Sequence, residues 1–247
     1  MRTPIAAALT ILLASAGSTA ETPPPAAIAE TASLPGLVAP GQIVIDHWGI
    51  AHVYGATTRD AFFLQGYNAA RDRLWQIDLW RKRGLGRLSG SFGPDYVARD
   101  RAARLFLYRG DMAAEWAAYP AEARGWTEAF VAGINARIAE IAAGKARLPA
   151  EFALTGSVPE RWQADDVVRI RSHALIGNLA GEVLRARSLC LGGLKFDTLR
   201  RKIEPPHQIV VPAGIDPCVV TPDVMTDYLA ATGSVSFDAG KLVAEAP

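Results

Sequence analysis

The chain has almost no net charge, few cysteines and no long hydrophobic run, and each shortage excludes a class of protein. Its 26 lysines and arginines are nearly balanced by 25 acidic residues. Nucleic-acid-binding proteins concentrate basic charge on one face, so this composition does not indicate such a partner. The apolar stretch near the N-terminus, Ile5–Ala16, is too short to cross a bilayer, which takes about 20 apolar residues.

Cysteine is scarce, and its spacing argues against a metal held by sulfur. Neither Cys190 nor Cys218 has a second cysteine or a histidine at the spacing of zinc sites. In an oxidising compartment the two can form a disulfide, and as small apolar thiols they can equally stay buried and reduced. Both interpretations stay open, because a sequence does not give the distance between the two Cα atoms.

The N-terminus predicts export from the cytoplasm. Arg2 supplies a positive charge, the apolar stretch follows it, and residues 18–20 (Ser-Thr-Ala) are the small residues that a signal peptidase requires. We therefore expect a signal peptide over residues 1–20 and a periplasmic or secreted protein, with an uncleaved anchor as the alternative. Removing residues 1–20 deletes one arginine and no acid, which leaves no net charge.

Proline and alanine divide the remaining chain into three parts. Residues 21–41 are rich in both, which predicts an extended or mobile lead-in. Residues 42–203 carry the regular hydrophobic periodicity of a globular region. Residues 204–247 contain repeated prolines, so we expect only short elements there.

The central region predicts an α+β chain that is mostly helical, with a short N-terminal β-hairpin. Gln42–Asp46 and Ala51–Tyr54 are β-branched and aromatic runs joined by a tight connection. Thr58 is then expected to cap a long helix that Gly84 and Gly86 end. Further helices are predicted over residues 94–119, 121–145, 164–187 and 222–231.

Charged residues near the end of the long helix have a simple structural interpretation. Asp78 and Lys82 lie four residues apart, so we expect an exposed ion pair. Arg81, Lys82 and Arg83 form a basic cluster where cations complement the helix dipole. No anionic partner is needed to explain this cluster.

Four other side chains attract attention as functional candidates, and each has a structural explanation. Asp46 and His52 flank the predicted hairpin turn, where an aspartate binds turn amides and a histidine is satisfied at a strand end. Trp75 and Trp80 lie on the long helix, where aromatic residues usually pack in a core. We therefore predict structural roles for all four.

Two blocks near the N-terminus carry a family pattern. Residues 46–52 read DHWGIAH. The second block joins three pieces, QGY at 65–67, DRLWQ at 72–76 and GRL at 86–88. Together they resemble the opening of the penicillin acylase family of N-terminal-nucleophile amidohydrolases, whose first block is D-x-x-G-I/V-P-H. Ala51 stands at the family's proline, and residues 69–71 (AAR) stand at its H-A-Q.

The resemblance implies that this chain is one portion of a longer precursor with an αββα fold. Residues 42–203 match the family's α chain, and residues 204–247 match its C-terminal part and the start of a linker. The family's nucleophile is a serine that begins the β chain and is followed by asparagine. Ser234 and Ser236 lack that asparagine, so we assign no catalytic residue to this chain and expect the β chain as its partner.

A second stretch, residues 174–185, resembles the family helix beside the acyl pocket. The resemblance makes Leu175 and Leu179 the candidates for binding an acyl group, although both can equally be core residues. It also makes Glu182 a candidate calcium ligand. Calcium takes about six to eight oxygen ligands, so the β chain would have to supply the others. The alternative is an ordinary ion pair between Glu182 and Arg185 or Arg187.

By resemblance the whole protein hydrolyses linear amides, releasing an acyl group from an amine such as a β-lactam nucleus. It would need no organic cofactor and would take a small acyl amide as substrate. Acyl-homoserine-lactone and cephalosporin acylases share this chemistry and are alternatives. A different alternative is a secreted, non-catalytic helical binding module that lacks the catalytic half.

Overall fold

The structure, a computed structural model, describes residues 31–171, 176–200, 204–207 and 209–237, with only the backbone described at 176 and 177. The predicted signal peptide over residues 1–20 lies outside this part of the chain. From Leu34 onward the described residues belong to one compact unit. None of the described helices is long and apolar enough to cross a membrane.

The predicted hairpin is confirmed. Strands β1 (Gln42–Ile45) and β2 (Ala51–Tyr54) pair antiparallel, with Ile43 opposite Val53. Both of these side chains pack against the first helix. The turn contains Gly49 at a φ of 81°, a left-handed conformation that glycine adopts without strain.

Asp46 and His52 have the structural roles that we predicted. The Asp46 Oδ1 accepts hydrogen bonds from the amides of Trp48 and Ile50, each at 2.9 Å, and Oδ2 lies 3.1 Å from His52 Nε2. These hydrogen bonds, that of Ile50 above all, lower the pKa of Asp46 below its ordinary value. The pair holds the turn together.

Helix α1 (Thr58–Leu85) is the longest element, and Thr57 rather than Thr58 caps it. The Thr57 Oγ1 accepts the Asp60 amide at 3.1 Å, because only the residue before the first helical one can reach the free amides. Gly86 ends the helix at a φ of 63°. The helix is kinked at Arg73, whose φ is −140°.

The core lies where α1 crosses α5 (Ala123–Ala142). Gly66 of α1 and Gly133 of α5 sit at this crossing, and a Cβ on either would overlap the backbone of the other helix. This close approach lets large apolar side chains fill the space around it. The buried residues of the resulting cluster are Ala70, Leu74, Trp75, Val131, Ile134, Phe152 and Trp162.

The remaining helices are short except for the one that extends to Arg200, beyond the predicted end at residue 187. They are α2 (Leu88–Phe92), α3 (Val97–Phe106), α4 (Met112–Ala117), α6 (Ala150–Leu154), α7 (Ala164–Arg169), α8 (Ile176–Arg200) and α9 (Thr226–Thr232). Short 3₁₀ segments span Pro94–Tyr96 and Pro217–Val219.

Three predicted helices differ from the structure in their bounds. The helix predicted over residues 94–119 is wrong as a single element, because Leu107 is extended and Asp111 caps a new helix through the Ala113 amide at 2.9 Å. The one predicted over 164–187 is divided, since α7 ends at Arg169 and α8 begins at Ile176. The last helix begins at Thr226 rather than at Pro222.

The expected exposed pair of Asp78 and Lys82 is wrong, because both side chains are 1% exposed. The Lys82 Nζ lies 2.9 Å from Asp78 Oδ2 and donates to the Val158 carbonyl at 2.9 Å. The chain from Ser157 to Trp162 covers this face of α1 and supplies the acceptors. Burial raises the pKa of Asp78, an effect that Lys82 opposes.

The two tryptophans of α1 differ. Trp75 is buried in the core cluster and makes edge contacts with Phe92 and Phe152, as predicted. Trp80 is 66% exposed, so its expected place in a core is wrong. It lies on the solvent side of α1, where Arg83 stacks over its ring at 5.7 Å.

Candidate functional site

The segment before α8, which includes α7, is held in place by hydrogen bonds to buried charged side chains. At the start of α7, Gln163 and Asp166 form a capping box. Asp166 Oδ2 also accepts Arg81 Nε of α1 at 2.7 Å, and Asp165 accepts Trp116 Nε1 at 2.8 Å. The assignment of the basic cluster to the helix dipole alone is therefore wrong, because Arg81, Lys82 and Arg83 all make contacts with distant parts of the chain.

Only one of the two predicted acyl-pocket residues lies in the described part of the chain. Leu175 lies outside the described residues. Leu179 lies in the second turn of α8 and is 39% exposed. This exposure excludes the alternative that Leu179 is an ordinary core residue of this chain and leaves its role in an acyl pocket as a prediction.

Glu182 also lies on α8, and its carboxylate is paired. Both oxygens accept Arg185 Nη1 at 3.0 Å, the ion pair that we weighed as the alternative to calcium. Arg185 Nε also lies 3.5 Å from Oδ2 of the buried Asp197. Arg200 Nε lies 2.9 Å from the other oxygen of that carboxylate. Because the kink at Gly192 and Gly193 lies between Arg185 and Asp197, the contact between these two residues joins the two helical parts of α8.

The chain alone does not form a calcium site among its described residues. No group of three or more His, Cys, Asp or Glu side chains converges there, whereas calcium takes about six to eight oxygens. Glu182 would have to leave Arg185 and join oxygens from another chain. Its role as a calcium ligand stays a prediction.

Cys190 and Cys218 form a disulfide. It ties the middle of α8 to the 3₁₀ segment Pro217–Val219, so the proline-rich tail is held against this helix. Gly193, three residues beyond Cys190, has a φ of 63° and kinks the helix. The structure thus decides between the two interpretations that the sequence leaves open.

The surface of α8 is unusually apolar for a helix in contact with water. Its exposed apolar side chains range from Leu179 at 39% to Leu199 at 78% exposed. They are Leu179, Leu184, Leu191, Leu194, Phe196 and Leu199, and we call them the apolar surface of α8. They lie on both sides of the kink at Gly192 and Gly193. Many large exposed apolar side chains on one element are typical of a site that contacts another molecule or chain.

A cleft of about 490 Å³ opens beside the kink of α1, and the sequence did not reveal it. Its walls are residues 71–76 of α1, Arg137 of α5 and residues 147–151. No Ser, Thr, Cys or His is among the described residues that line it, so this cleft offers no catalytic nucleophile of those types. Neither Leu179 nor Glu182 lines the cleft.

The two serines near the end of the described chain show no catalytic arrangement. Ser234 is exposed, and its carbonyl oxygen accepts Arg99 Nη2 at 3.0 Å. Ser236 is exposed as well. The prediction that this chain holds no catalytic residue therefore rests on the missing serine–asparagine pair.

Comparison with known proteins identifies the family of this chain. The sequence profile of penicillin amidase matches residues 40–234. The chain belongs to the penicillin amidase family. The match covers the hairpin, the α1–α5 core, α8 and most of the proline-rich tail.

Curated members of the penicillin amidase family include several relatives of this chain. Penicillin acylase 2 proenzyme of Pseudomonas sp. (strain SE83) is 36% identical over 131 residues, covering 53% of this chain and 16% of the relative. Penicillin G acylase of Escherichia coli is 31% identical over 130 residues, covering 52% and 15%. Acyl-homoserine lactone acylase QuiP of Pseudomonas syringae pv. tomato is 29% identical over 142 residues, covering 58% and 17%.

A solved member of the family has the same fold. Thermostable penicillin G acylase from Alcaligenes faecalis aligns with a TM-score of 0.53 at 22% identity. The alignment covers 70% of this chain and 98% of the solved chain. The chain therefore matches less than a fifth of each curated relative but nearly all of one crystallised chain.

Proposed function

We propose that this chain is the α portion of an exported amidohydrolase that releases an acyl group from the amine of a linear amide. Family membership supports this chemistry, because the relatives are named as penicillin and acyl-homoserine lactone acylases. The catalytic half is the β portion of the same precursor. Together the two portions would build the αββα fold.

The observation that carries the proposal is the apolar surface of α8. Six large apolar side chains remain exposed there, on a chain that aligns with only 16% of a proenzyme but 98% of a crystallised family chain. An apolar surface of this kind is stable in water when another chain covers it. A β portion folded against α8 is the simplest cover.

The proposed chemistry is that of an N-terminal serine in the β portion. Its hydroxyl attacks the amide carbonyl, and its own α-amino group, with an unperturbed pKa of about 7.7 to 8.0, accepts the proton. Donors in the β portion stabilise the tetrahedral intermediate. The α portion contributes the wall of the acyl pocket through Leu175 and Leu179.

The choice of substrate depends on that wall. An apolar pocket binds an apolar acyl group, and each methylene-sized contact changes discrimination by about 1 to 3 kcal/mol. We propose a hydrophobic acyl group, attached to a β-lactam nucleus or to another amine. The named relatives include both penicillin and homoserine-lactone acylases, and Leu179 is the described residue where the choice can be tested.

The proposal also includes export from the cytoplasm and the binding of a calcium ion. The predicted signal peptide over residues 1–20 leads to the periplasm or the exterior, and the Cys190–Cys218 disulfide is compatible with such an oxidising compartment. Glu182 is proposed to give calcium one oxygen once the β portion supplies the rest. In that state Arg185 keeps its contact with Asp197.

The test is to express the precursor and this chain separately. The precursor should appear as two chains, the second beginning with serine by mass spectrometry, and should hydrolyse a chromogenic acyl-anilide. This chain alone should show no turnover. Turnover by the isolated chain, or an intact and inactive precursor, would contradict the proposal and favour a non-catalytic binding module.

A further inference from the structure

The last described segment of the chain is held by two arginines from distant helices. It leaves α9 at Gly233, whose backbone is extended, and reaches Phe237. Phe237 packs among the rings of Trp75, Phe92 and Tyr96 at centroid distances of 5.8, 5.2 and 6.5 Å. The family match ends inside this segment, at residue 234.

The arginines are Arg83 of α1 and Arg99 of α3, and both bind backbone carbonyls. Arg99 donates to the carbonyl oxygens of Ala230 at 3.3 Å, Gly233 at 2.7 Å and Ser234 at 3.0 Å. Arg83 Nη1 donates to those of Thr232 at 3.2 Å and Gly233 at 3.3 Å. We call these two side chains and their four acceptor carbonyls the carbonyl clamp, in which the Gly233 carbonyl accepts from both arginines.

The clamp places two cations close together. Burial lowers the pKa of Arg83, and the charge of Arg99 lowers it further. Among the described residues neither guanidinium has an acidic partner, and the buried Nε of Arg83 has no hydrogen-bond acceptor. A single arginine suffices to satisfy the carbonyls at a helix end. Two arginines on one carbonyl fix the direction in which the chain leaves α9.

Gly233 fits this arrangement closely. A Cβ at this position would lie 2.7 Å from the Leu229 carbonyl oxygen and 3.7 Å from Arg99 Nη2. The Gly233 amide already donates to that Leu229 oxygen at 2.7 Å. A larger residue would therefore displace the segment without changing any charge.

We propose that Arg83 and Arg99 are positioning residues for self-cleavage of the precursor, a role that rests on the proposed function. In that step the serine Oγ attacks the carbonyl carbon of the preceding residue, and an ester forms as the peptide C–N bond breaks. The hydroxyl proton passes to the nitrogen, and water then hydrolyses the ester to a carboxylate and a free serine. Fixing the end of the α portion restricts where the following chain can lie, so the scissile bond is aligned for a larger fraction of the time.

The test compares precursors that carry Arg99→Gln, Arg99→Lys, Gly233→Ala or the control Arg104→Gln. Arg104 is the matched control because it also lies on α3 and caps a helix end, donating to the Gly86 carbonyl at 3.0 and 2.8 Å. The rate of two-chain formation is followed on gels. The melting temperature of each precursor and the turnover of each matured enzyme are measured beside it.

We expect Arg99→Gln and Gly233→Ala to slow self-cleavage by about tenfold or more. Arg99→Lys should fall between them and the wild type, because an ammonium keeps the charge but not the planar fork of donors. Arg104→Gln should lower the melting temperature as much as Arg99→Gln while cleavage stays near the wild-type rate. Matured enzyme should turn over normally in every case.

Two results overturn the inference, and they are distinguishable. The first is a wild type that cleaves itself and clamp variants that cleave at the same rate. Clamp variants that are slowed no more than Arg104→Gln, at an equal loss of melting temperature, lead to the same conclusion. In either case the clamp is an ordinary helix cap. The second is a wild-type precursor that never cleaves itself, which would show that both the proposed function and this inference are wrong. Should Arg99→Gln not fold, Arg99→Lys and Gly233→Ala carry the same comparison.

Discussion

We call the core where α1 packs against α5 the α1–α5 body. This body and helix α8 differ in how many of their charged and large apolar side chains find partners within this chain. In the body even the fully buried Lys82 finds a carboxylate and a carbonyl, and two glycines bring the helices into contact. Helix α8 has a disulfide and paired charges, yet its large apolar side chains face outward. The α1–α5 body therefore finds most of its contacts within this chain, whereas we propose that another chain covers the apolar surface of α8.

The largest expected effect on stability comes from breaking the buried ion pair in the α1–α5 body. Lys82→Met removes the closest partner of Asp78 and should destabilise the chain by about 3 to 5 kcal/mol, because a buried charge is left uncompensated. The control is Arg124→Ala, which breaks an exposed i,i+4 pair with Glu128 and should cost at most about 0.5 kcal/mol. Denaturant unfolding measures both. Equal losses would show that the buried pair is not special.

The same variant has a defined pH dependence. Asp78 already has a pKa above its ordinary 3.8, and removal of Lys82 raises it further. An acid with a raised pKa binds its proton more tightly in the folded state. The loss of stability is therefore absent below the unfolded pKa, grows as the pH rises from the unfolded pKa to the folded one, and is constant above it. The loss caused by Lys82→Met should therefore shrink as the pH is lowered toward 3.8.

The next effect sharpens the comparison at the helix crossing. Gly133→Ala places a methyl group against the α1 backbone and should cost about 1 to 3 kcal/mol or more. Gly125→Ala on the same helix is the control, since a Cβ there meets nothing within 4 Å. It should be neutral or slightly stabilising, because alanine favours helices. Thermal or denaturant melts that rank the two equally would contradict the close crossing.

The two strands, to within one residue, and the long helix could be predicted from the sequence, because their signals are local. Alternating β-branched residues mark the hairpin, and a terminal glycine marks the end of α1. The buried state of Asp78 and Lys82 could not be predicted, since it depends on a chain segment some 80 residues away that covers them. The cap at Thr57 was missed by one residue because Thr57 and Thr58 are adjacent and both can cap.

The candidate site was less predictable than the fold. Glu182 and Leu179 were found only through resemblance to a family, because a lone glutamate or leucine on a helix carries no chemical pattern of its own. Their outward position on α8 required the structure. The carbonyl clamp was missed because arginines that bind backbone oxygens leave no complementary acid in the sequence.

A smaller effect concerns the apolar surface of α8. We expect the isolated chain to self-associate, and a double change of Leu191→Gln and Leu199→Gln should reduce this association with little change in stability, because both residues are at least 75% exposed. Leu105→Gln, at 54% exposure on α3, is the control and should leave association unchanged. Light scattering measures the difference. A monodisperse wild-type chain would contradict the expectation.

The smallest effect in this chain alone is that of Glu182→Ala, since the Arg185 pair that it breaks is exposed. In the assembled precursor the same change should abolish stabilisation by calcium, because a metal that binds only the folded form stabilises it by mass action. Melting temperatures with and without calcium test this. If the wild type gains nothing from calcium, Glu182 is only the partner of Arg185.

Hydrogen exchange tests most directly whether α8 is the surface that a β portion covers. Amide protection would be compared between the isolated chain and the assembled two-chain enzyme. The account predicts a large gain of protection along α8 and little change in α1 and α5, which are already packed against each other. Equal protection of α8 in the two states, or a gain confined to the α1–α5 body, would contradict it.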